Sequence, residues 1–522
     1  MNERFDLAVV GAGFAGSLLA MIAHRLGLRV ILLERGRHPR VVIGESSTPL
    51  SNLLLEELSV RYDLANLRSL SKWGSWRESH PELACGLKRG FSFFHHVPGH
   101  AGAIERRDQL LVAASPHDRI ADTHWYRADF DAYLADEAQR LGVTYLDEVE
   151  LSDFADDGRE VLLRGARHGR DLRVAARFVV DATGPRGFLH RALKLGEREL
   201  PEMPATSSLY CHFSGVRRLA DTGGVVLDEA PPYPVDDAAV HHVFDGGWVW
   251  VLHFCNGVAS AGIAATEPLA GKFRLPEGEP AWKRVLEAVP VLREQFRQAQ
   301  AVQPFRHLPQ LGFRSARITG RNWALLPSAA GFVDPLLSTG FPLTLLGVMR
   351  LAEILERNGN TEQFDAALQR YATQTEAELL ATARLVGALY ANFANFPVFS
   401  ALSLLYFAAA SYAETARRLE RPQLASSFLL HDHPRFGPEC ARVLQHARSV
   451  RSGQDSAAVI EEIRRVIEPV DVAGLSNCTR RNWFPVDPQD LLHAAHKLDA
   501  SREQIIQMLV RCGFSASAPC RD

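Results

Sequence analysis

Three glycines near the N-terminus have the spacing of a dinucleotide-binding turn. Gly11, Gly13 and Gly16 follow an apolar strand and open a helix, and a second apolar strand ends at Glu34. Such glycines allow a tight turn and close approach of the backbone to a pyrophosphate, while the helix N-terminus offers N–H groups and a positive dipole. Glu34 is placed where a carboxylate accepts hydrogen bonds from a ribose. The pattern predicts a bound dinucleotide rather than a purely structural βαβ unit.

A lysine beside aromatic residues is the second feature of chemical interest. Lys88 precedes Phe91, Phe93 and Phe94, which indicates a buried sheet edge. Burial lowers the pKa of an amine and makes its neutral form accessible. Spacing alone also allows a surface lysine whose stem covers apolar residues while its amine reaches water. Both interpretations stay open at this point.

The histidines and cysteines do not have the spacing of a metal site. His95-His96 and His241-His242 are adjacent pairs, and neighbouring residues on a strand face opposite sides. The sequence has no HExxH and no Cys/His spacing typical of zinc. Seven cysteines without a CxxC pair indicate reduced thiols. We therefore expect no metal and a cytoplasmic location.

Length, composition and charge restrict the class of protein. A chain of 522 residues with 47% hydrophobic and 23% charged residues is ordinary for a globular protein of several domains. A net charge of −3 gives no electrostatic case for nucleic acid or an anionic membrane as partner. The N-terminus enters a strand almost at once, so we expect no signal peptide.

One apolar segment has to be weighed against a membrane span. Residues 393–413 are largely apolar and about long enough to cross a bilayer. Asn395, Pro397 and three serines interrupt the run, and charged helical sequence flanks it. A buried or amphipathic helix is favoured over a surface that docks on a membrane or a partner, and we expect no integral membrane segment.

Strand and helix patterns divide the chain into four segments. Residues 1–204 hold the βαβ unit and an apolar strand at 178–181 that returns to its sheet. Residues 205–317 alternate as in an antiparallel sheet, which we expect to wall a substrate pocket. Residues 318–360 return to the first domain, and residues 361–522 are mostly helical.

Three blocks together resemble a known superfamily. They are the glycine turn with Glu34, VVDATGPRGFL at 179–189, and PSAAGFVDPLLSTGFPLTLLG at 327–347. The set is similar to the flavin-dependent monooxygenases with a p-hydroxybenzoate-hydroxylase-type fold. The resemblance implies an α/β fold with a Rossmann-like FAD-binding domain, an antiparallel-sheet substrate domain and a mainly helical C-terminal region.

Within that superfamily the chain resembles the flavin-dependent halogenases. The motifs that carry this likeness are the Gly44-Glu45-Ser46 flavin loop, the Ser338-Thr339-Gly340 stretch that holds flavin and halide, Trp248 and Trp250 of a WxWxIP signature, and Lys88 as the active-site lysine. The likeness covers residues 1–360. It is closest to the branch that halogenates monodechloroaminopyrrolnitrin and other pyrrole or phenol compounds.

Three positions depart from the tryptophan-specific members. Leu337 stands where those enzymes have a glutamate, and the tryptophan motif continues as Val251-Leu252-His253 instead of ending in isoleucine-proline. The block at 327–331 also lacks the aspartate of the usual GDAAG signature. Tryptophan is therefore disfavoured as the substrate.

The resemblance implies a role for each matching residue. Lys88 is the expected catalytic residue. The halide is expected at Ser338, Thr339 and Gly340, and the substrate beside Trp248, Trp250 and Phe93. The residues expected to bind FAD are Gly11, Gly13, Phe14, Ala15, Gly16, Glu34, Arg35, Gly44, Glu45, Ser46, Ser47, Arg127, Asp181, Gly184, Asp334, Thr339 and Gly340.

Ordinary structural roles remain open for several of these residues. Ser338 and Thr339 are also typical of a helix N-cap. Trp248 and Trp250 are equally typical of an aromatic core. Arg127 suits a helix cap or a salt bridge as well as a flavin contact.

The resemblance implies a reaction that uses reduced FAD from a separate flavin reductase. Reduced FAD and O2 form a flavin C4a-hydroperoxide, which chloride or bromide attacks. The resulting hypohalous acid moves through the interior to Lys88, which directs electrophilic halogenation of an electron-rich aromatic or heteroaromatic small molecule. Excluded water protects the reactive species. Such a reaction belongs to secondary metabolite biosynthesis, and a carrier protein or a homo-oligomer stays open as partner.

Two other functions remain open. A hydroxylating monooxygenase on the same fold would have lost halide use, and Leu337 and the altered tryptophan motif slightly favour it. A non-catalytic FAD-binding partner in a biosynthetic complex would use the long helical C-terminal region as its docking surface.

Overall fold

Two β-sheets and a helical C-terminal region build the protein. The computed structural model describes residues 4–227, 229–358, 362–450 and 453–514. The expected α/β class with a Rossmann-like domain and a helical C-terminal region is confirmed. The segment boundaries expected from the sequence stay predictions, and residues 361 and 515–522, which include Cys520, lie outside the described residues.

The first sheet is parallel in its centre. Arg4–Val10 pairs in parallel with both Val30–Leu33 and Arg170–Asp181, and helix Phe14–Arg25 connects the first two strands. All four residues of Val30–Leu33 are buried, which is typical of a strand inside a parallel sheet. In spatial order the sheet runs Thr319–Gly320, Trp323–Leu325, Arg170–Asp181, Arg4–Val10, Val30–Leu33 and Thr144–Leu146, with Val161–Arg167 and Val149–Asp156 added antiparallel at Arg170–Asp181.

The second sheet is mainly antiparallel. Four of its strands lie within the segment 205–317, where the sequence predicts an antiparallel sheet: Thr206–Ser214, Ala239–Phe244, Gly247–His253 and Val258–Thr266. Its order is Gln300–Ala301, Thr206–Ser214, Val258–Thr266, Gly247–His253, Ala239–Phe244, Gly90–His95, Gln109–Ala113 and Trp483–Phe484, with Arg306–Leu308 beside Thr206–Ser214. The sheet therefore also takes strands from outside residues 205–317.

A small two-stranded ribbon is separate from the two large sheets. Cys85–Lys88 pairs antiparallel with Asp122–Trp125, and Lys88 lies opposite Asp122. The loop around Ser46 adds to the free edge of Asp122–Trp125 through an isolated bridge between Ser46 and His124. Three distant stretches of sequence thereby meet side by side. A second ribbon joins Phe313–Arg314 to Gly331–Phe332.

Helices cover the sheets and form most of the C-terminal region. They are Phe14–Arg25, Pro49–Arg61, Ala65–Arg68, Trp73–Ser79, Arg127–Leu141, Phe188–Ala192, Glu267–Phe273, Glu279–Ala288, Pro290–Gln295, Pro327–Ala330, Gly340–Asn358, Glu362–Tyr390, Phe396–Arg418, Phe436–Ala447, Gly453–Ile467, Pro488–His493 and Arg502–Arg511. Helix Gly340–Asn358 begins directly after the Ser338-Thr339 stretch.

The apolar segment at 393–413 forms a core helix. It lies in Phe396–Arg418, and 83% of the most apolar stretch of that helix is buried inside the protein. The segment Leu336–Arg357 is also long and apolar enough to cross a membrane, and 72% of its most apolar stretch is buried. Burial of this extent is typical of helices that pack in the core of a globular fold.

Candidate active site

A large cavity lies at the carboxyl ends of the parallel strands. Its volume is about 1230 Å³, and Val10 and Leu33, the last residues of two of those strands, line it. This edge is where open α/β sheets bind ligands. The sequence-predicted FAD residues that line the cavity are Gly11, Gly13, Phe14, Ala15, Glu34, Arg35, Gly44, Glu45, Ser46, Arg127, Gly184, Asp334, Thr339 and Gly340. We call this space the cofactor cavity.

Two glycines of the turn are required by its geometry. Gly11 has φ +103°, and a Cβ there would lie 2.8 Å from the Ala182 carbonyl group. A Cβ on Gly16 would lie 1.9 Å from the Gly11 carbonyl oxygen. Gly16 does not line the cavity, so its role is to let the helix pack against the turn.

Glu34 is fixed at the end of the second parallel strand. Its carboxylate accepts hydrogen bonds from the Ala12 N–H and the Gly36 N–H, each at 2.8 Å, and from Arg40 Nη2 at 3.2 Å. Burial alone would raise the pKa of Glu34, but Arg40 and the two backbone N–H groups together hold that pKa below its ordinary value. The carboxylate is therefore charged and oriented toward the cavity.

Arg127 anchors the flavin loop at the start of its helix. It forms a buried bidentate pair with Asp131, with both N···O distances at 2.7 Å, and Nη1 donates to the Gly44 carbonyl at 3.1 Å. Its guanidinium also lies 4.9 Å from the centroid of the Phe14 ring. The salt bridge and the position in the cavity wall therefore occur together.

Two expected FAD residues lie behind the cavity wall. The Asp181 carboxylate accepts hydrogen bonds from the Thr183 N–H at 2.8 Å and the Leu189 N–H at 2.6 Å, which shapes the turn that carries Gly184. Ser47 is fully buried and its hydroxyl donates to the Thr123 carbonyl at 2.6 Å. Both residues position the wall and do not form its surface.

The expected halide residues form a strained turn in the cavity wall. Ser338, Thr339 and Gly340 all line the cavity. Leu337 has φ +62° and Ser338 has φ +55°, a conformation that costs non-glycine residues about 1–2 kcal/mol each. Helix Gly340–Asn358 begins directly after this turn. Backbone strain of this kind clusters at functional sites.

The two tryptophans line the cofactor cavity, and Phe93 does not. Trp248 and Trp250 face the same side of their strand, and 1% and 5% of their surface is exposed. Phe93 is buried one layer behind, where it stacks on His241 with the ring centroids 4.3 Å apart. His241 itself lines the cavity. Burial, followed by the charge of Lys88, lowers the pKa of His241 to about 3, so this imidazole is neutral.

Lys88 is fully buried between the Gly44-Glu45-Ser46 loop and the aromatic ring of Phe91. Its Nζ donates to Ser46 Oγ at 2.8 Å and to the Ser47 carbonyl oxygen, and it lies 3.8 Å from the centroid of the Phe91 ring. This burial excludes the snorkelling surface lysine. Desolvation lowers the pKa of the Lys88 amine, and the nearby Asp122 carboxyl opposes the shift.

A second, smaller cavity lies beside the ribbon formed by Cys85–Lys88 and Asp122–Trp125. Its volume is about 190 Å³, and its wall includes Phe91, Asp122, Tyr406 and Phe407. Helix Phe396–Arg418 and the residues from Val472 to Phe514 enclose it. Lys88 contacts Ser46 in the wall of the first cavity and Phe91 in the wall of the second. We call this smaller space the acceptor cavity.

Comparisons with known proteins decide the family. The sequence model described as tryptophan halogenase matches residues 120–395, which is more than half of the chain. The chain belongs to the tryptophan halogenase family. A model described as FAD-dependent oxidoreductase matches residues 6–226. The expectation of an oxidoreductase of the flavin-dependent halogenase type is confirmed.

Individual relatives of this halogenase agree with that assignment. Monodechloroaminopyrrolnitrin halogenase PrnC of Pseudomonas fluorescens is 27% identical over 412 residues, which cover 78% of this chain and 71% of the relative. Tetracycline 7-halogenase of Kitasatospora aureofaciens is 27% identical over 420 residues, 78% of this chain and 74% of the relative. The crystal structure of halogenase PltM has a TM-score of 0.82 at 24% identity, covering 92% of this chain and 99% of that one, which shows a shared fold.

The cofactor cavity of the halogenase fits FAD. The helix behind Gly13 has no side-chain cap and no acidic residue in its first turn, so its N–H groups are available to a pyrophosphate. Arg40 Nε and His38 Nδ1 are buried near Glu34 without a hydrogen-bond partner among the described residues. A bound dinucleotide would supply acceptors for such groups.

The halogenase also has site residues that motif matching did not find. His212 Nε2 lies 2.9 Å from Glu45 Oε2, and the Gln303 amide lies 2.5 Å from the other ring nitrogen. Asp122 lies opposite Lys88. Tyr390 reaches Asp334 from the C-terminal region at 2.9 Å. None of these residues belongs to a local motif, and only the pairing of distant strands and helices brings them to the site.

Proposed function

We propose that this halogenase uses reduced FAD, O2 and chloride or bromide to halogenate a small, electron-rich aromatic compound in the acceptor cavity. The observation that carries the proposal is the position of Lys88. Its amine is fully buried, contacts the wall of the cofactor cavity through Ser46, and lies on the Phe91 ring of the acceptor cavity.

The first cavity would hold the cofactor and the halide. The N–H groups at Gly13, Phe14 and Ala15 suit the pyrophosphate, and Glu34 suits a ribose. The turn from Ser338 to Gly340 offers backbone N–H groups to a halide ion. Reduced FAD, delivered by a separate flavin reductase, would supply the two electrons that bring O2 to the peroxide level, and oxygen at that level oxidises halide to hypohalous acid.

Lys88 would receive and orient the hypohalous acid. An ammonium donates up to three hydrogen bonds, and two of the Lys88 bonds already go to Ser46 and Ser47. The remaining N–H is available to the oxygen of hypohalous acid. This bond would polarise the oxygen–halogen bond and direct the halogen toward a ring beyond Phe91. Burial excludes water that would otherwise consume the oxidant.

The acceptor cavity limits the substrate to a compact ring. Its volume of about 190 Å³ compares with the roughly 150 Å³ apolar cavity that binds one benzene molecule. Two relatives are named for monodechloroaminopyrrolnitrin and for a carrier-bound 1H-pyrrole-2-carbonyl group, and a third is named for the larger tetracycline. One solved neighbour binds phloroglucinol together with FAD. We propose a free single-ring phenol or pyrrole as substrate.

A reconstituted reaction tests the proposed function. Purified protein, FAD, NADH, an unrelated flavin reductase, O2 and resorcinol are incubated with chloride, bromide or neither, and products are separated by mass spectrometry. We expect a monohalogenated product only when halide is present. Hydroxylated product independent of halide would instead identify a monooxygenase, and failure of the protein to bind FAD would contradict both enzymatic functions.

A further inference from the structure

The carboxyl group of Asp122 has one oxygen that is not used by the fold. Asn52 Nδ2 donates to Asp122 Oδ1 at 2.8 Å. Only 7% of Asp122 is exposed, and its Oδ2 is buried without a hydrogen-bond partner among the described residues. Asp122 lines the acceptor cavity. A buried polar atom without a partner costs about 1–3 kcal/mol, so its retention in a cavity wall indicates a ligand.

The groups around Asp122 make this oxygen an acceptor. Lys88 is its cross-strand neighbour, with Cβ atoms about 4.5–5.5 Å apart in such pairs. Helix Phe396–Arg418 contributes Glu414 and Arg418, whose side chains pair at 2.7 Å, and Lys72 enters the same wall. Burial raises the pKa of Asp122, Glu414 raises it further, and Asn52, Lys88 and Arg418 oppose the shift.

We propose that Asp122 is a catalytic residue whose Oδ2 accepts the hydroxyl hydrogen of a phenolic substrate and takes that proton during halogenation. The inference rests on the proposed function and names the substrate class for the same site. A phenol fits because Phe91, Tyr406 and Phe407 of the same wall can pack on a ring, while Oδ2 calls for one hydrogen-bond donor on that ring.

Lys88 would act at the halogen and Asp122 at the hydroxyl group of the same ring. The hydroxyl proton passes to Asp122 while the phenol carbon forms its bond to the halogen. The oxygen–halogen bond breaks, and the departing hydroxide takes a proton from the Lys88 ammonium to become water. The resulting halogenated dienone loses its ring proton to the Lys88 amine and regains the hydroxyl proton from Asp122. In sum, arene and hypohalous acid give haloarene and water, and both residues return to their starting states.

A carboxyl group suits this role for a reason of acidity. A phenolic hydroxyl has an ordinary pKa near 10, far above that of a solvated aspartate, so an exposed carboxylate is a weak base toward it. Burial beside Glu414 raises the pKa of Asp122 and so reduces the difference between it and the pKa of the phenol. General bases work best when their pKa lies near the working pH and typically contribute 10²–10⁴ in rate.

Two substitutions separate binding from proton transfer. Asp122→Asn keeps an oxygen that accepts the phenol hydrogen bond but cannot take the proton. We expect its KM for resorcinol within about threefold of wild type and its kcat lowered by at least about 100-fold. Asp122→Leu removes the acceptor as well, so both values should change. Asp118→Asn is the matched control, because Asp118 is half-exposed and pairs with Arg89 outside the cavity.

A binding assay without FAD supplies the second readout. Calorimetry compares resorcinol with 1,3-dimethoxybenzene, which cannot donate a hydrogen bond. Wild type and Asp118→Asn should prefer resorcinol by about 10-fold, a preference that Asp122→Leu abolishes.

The outcomes distinguish this inference from the proposed function. Equal binding of the two probes by wild type, or a kcat of Asp122→Asn within threefold of wild type, would overturn the role of Asp122. Halogenation of resorcinol by wild type would in that case still stand. Selective binding without any halogenated product would overturn the proposed function and the proton transfer, while supporting recognition of the phenol by Asp122.

Discussion

The Tyr390 hydroxyl donates to Asp334 Oδ2 at 2.9 Å and joins the C-terminal region to the cofactor cavity. Tyr390 is the last residue of helix Glu362–Tyr390. Trp248 Nε1 donates to the same tyrosine oxygen at 3.3 Å, and the Leu336 N–H donates to Asp334 Oδ1 at 3.0 Å. One chain of buried hydrogen bonds thus joins the strand Gly247–His253, the turn at Leu336–Ser338 and the helix Glu362–Tyr390.

Tyr390→Phe should loosen this junction without removing a cavity-lining group. The change leaves a buried carboxyl oxygen and a buried indole N–H unpaired, so we expect a stability loss of about 1–3 kcal/mol. We also expect halogenation to fall while the halide-independent oxidation of reduced FAD continues. Urea denaturation and the ratio of product to hydrogen peroxide measure the two effects. Tyr145→Phe is a control on the first sheet, and equal effects of both substitutions would contradict a specific role for Tyr390.

We expect Asp334 to make the stability of the folded protein depend on pH. Burial raises the pKa of Asp334 to about 7. Between about pH 4 and 7 the folded state holds a proton that the unfolded state has released, so this residue makes the protein less stable as pH rises through that window. Asp334→Asn removes the contribution. The urea midpoint of the variant relative to wild type should therefore increase from pH 5 to pH 8. A difference that is constant with pH would contradict the assignment.

Local signals explain which parts of the fold could be predicted from the sequence. The glycine turn and Glu34, the strand Ala239–Phe244 and the helix Phe436–Ala447 have periodicity or turn residues that depend on near neighbours. The pairing of Gly90–His95 with Ala239–Phe244 joins strands about 150 residues apart, and no local pattern specifies it.

The same distinction applies to the candidate site. Ser46, Lys88 and Trp248 belong to recognisable motifs, so their residue types indicated chemistry in advance. Asp122 and Tyr390 do not, because their partners come from ribbon register and from a distant helix. The resemblance predicts Phe93 in the substrate pocket, and the structure stacks its ring on His241, outside the lining of the two cavities. Side-chain direction of this kind depends on the pairing of the whole sheet.

We expect the contact between His212 and Glu45 to fix the position of the flavin loop. Its Nε2 lies 2.9 Å and 3.1 Å from the two carboxylate oxygens of Glu45, and both residues are buried. His212→Phe leaves that carboxylate without its main partner, so the loop should move and FAD affinity should fall about 10-fold, in line with about 1–3 kcal/mol for an unpaired buried group. Flavin fluorescence titration measures the affinity. His307→Phe, on the neighbouring strand Arg306–Leu308, should leave it unchanged, and an unchanged His212→Phe would argue against the clamp.

Lys88→Met tests the amine while keeping the length of the side chain. The substitution removes the cation beside the buried Asp122 carboxyl, so we expect a stability loss of up to about 3–5 kcal/mol, and urea denaturation checks that the variant is still folded. FAD affinity should stay within about twofold of wild type, whereas halogenated product should fall by at least about 100-fold, as for loss of a general acid. The exposed Lys283→Met is the matched control. Product formation by Lys88→Met near the wild-type rate would show that the amine does not direct the halogen.

Two substitutions of Ser338 distinguish a halide site formed by backbone N–H groups from one formed by the serine hydroxyl. At φ +55° serine is strained, and glycine is not, so Ser338→Gly should stabilise the protein by up to about 1 kcal/mol, whereas Ser338→Ala keeps the strain. If backbone N–H groups hold the ion, both variants should retain the wild-type dependence of product formation on bromide concentration. A several-fold higher bromide requirement in both would instead assign the contact to the hydroxyl. Thermal unfolding reports the strain and the bromide titration reports the site, so the two properties are measured independently on the same pair of variants.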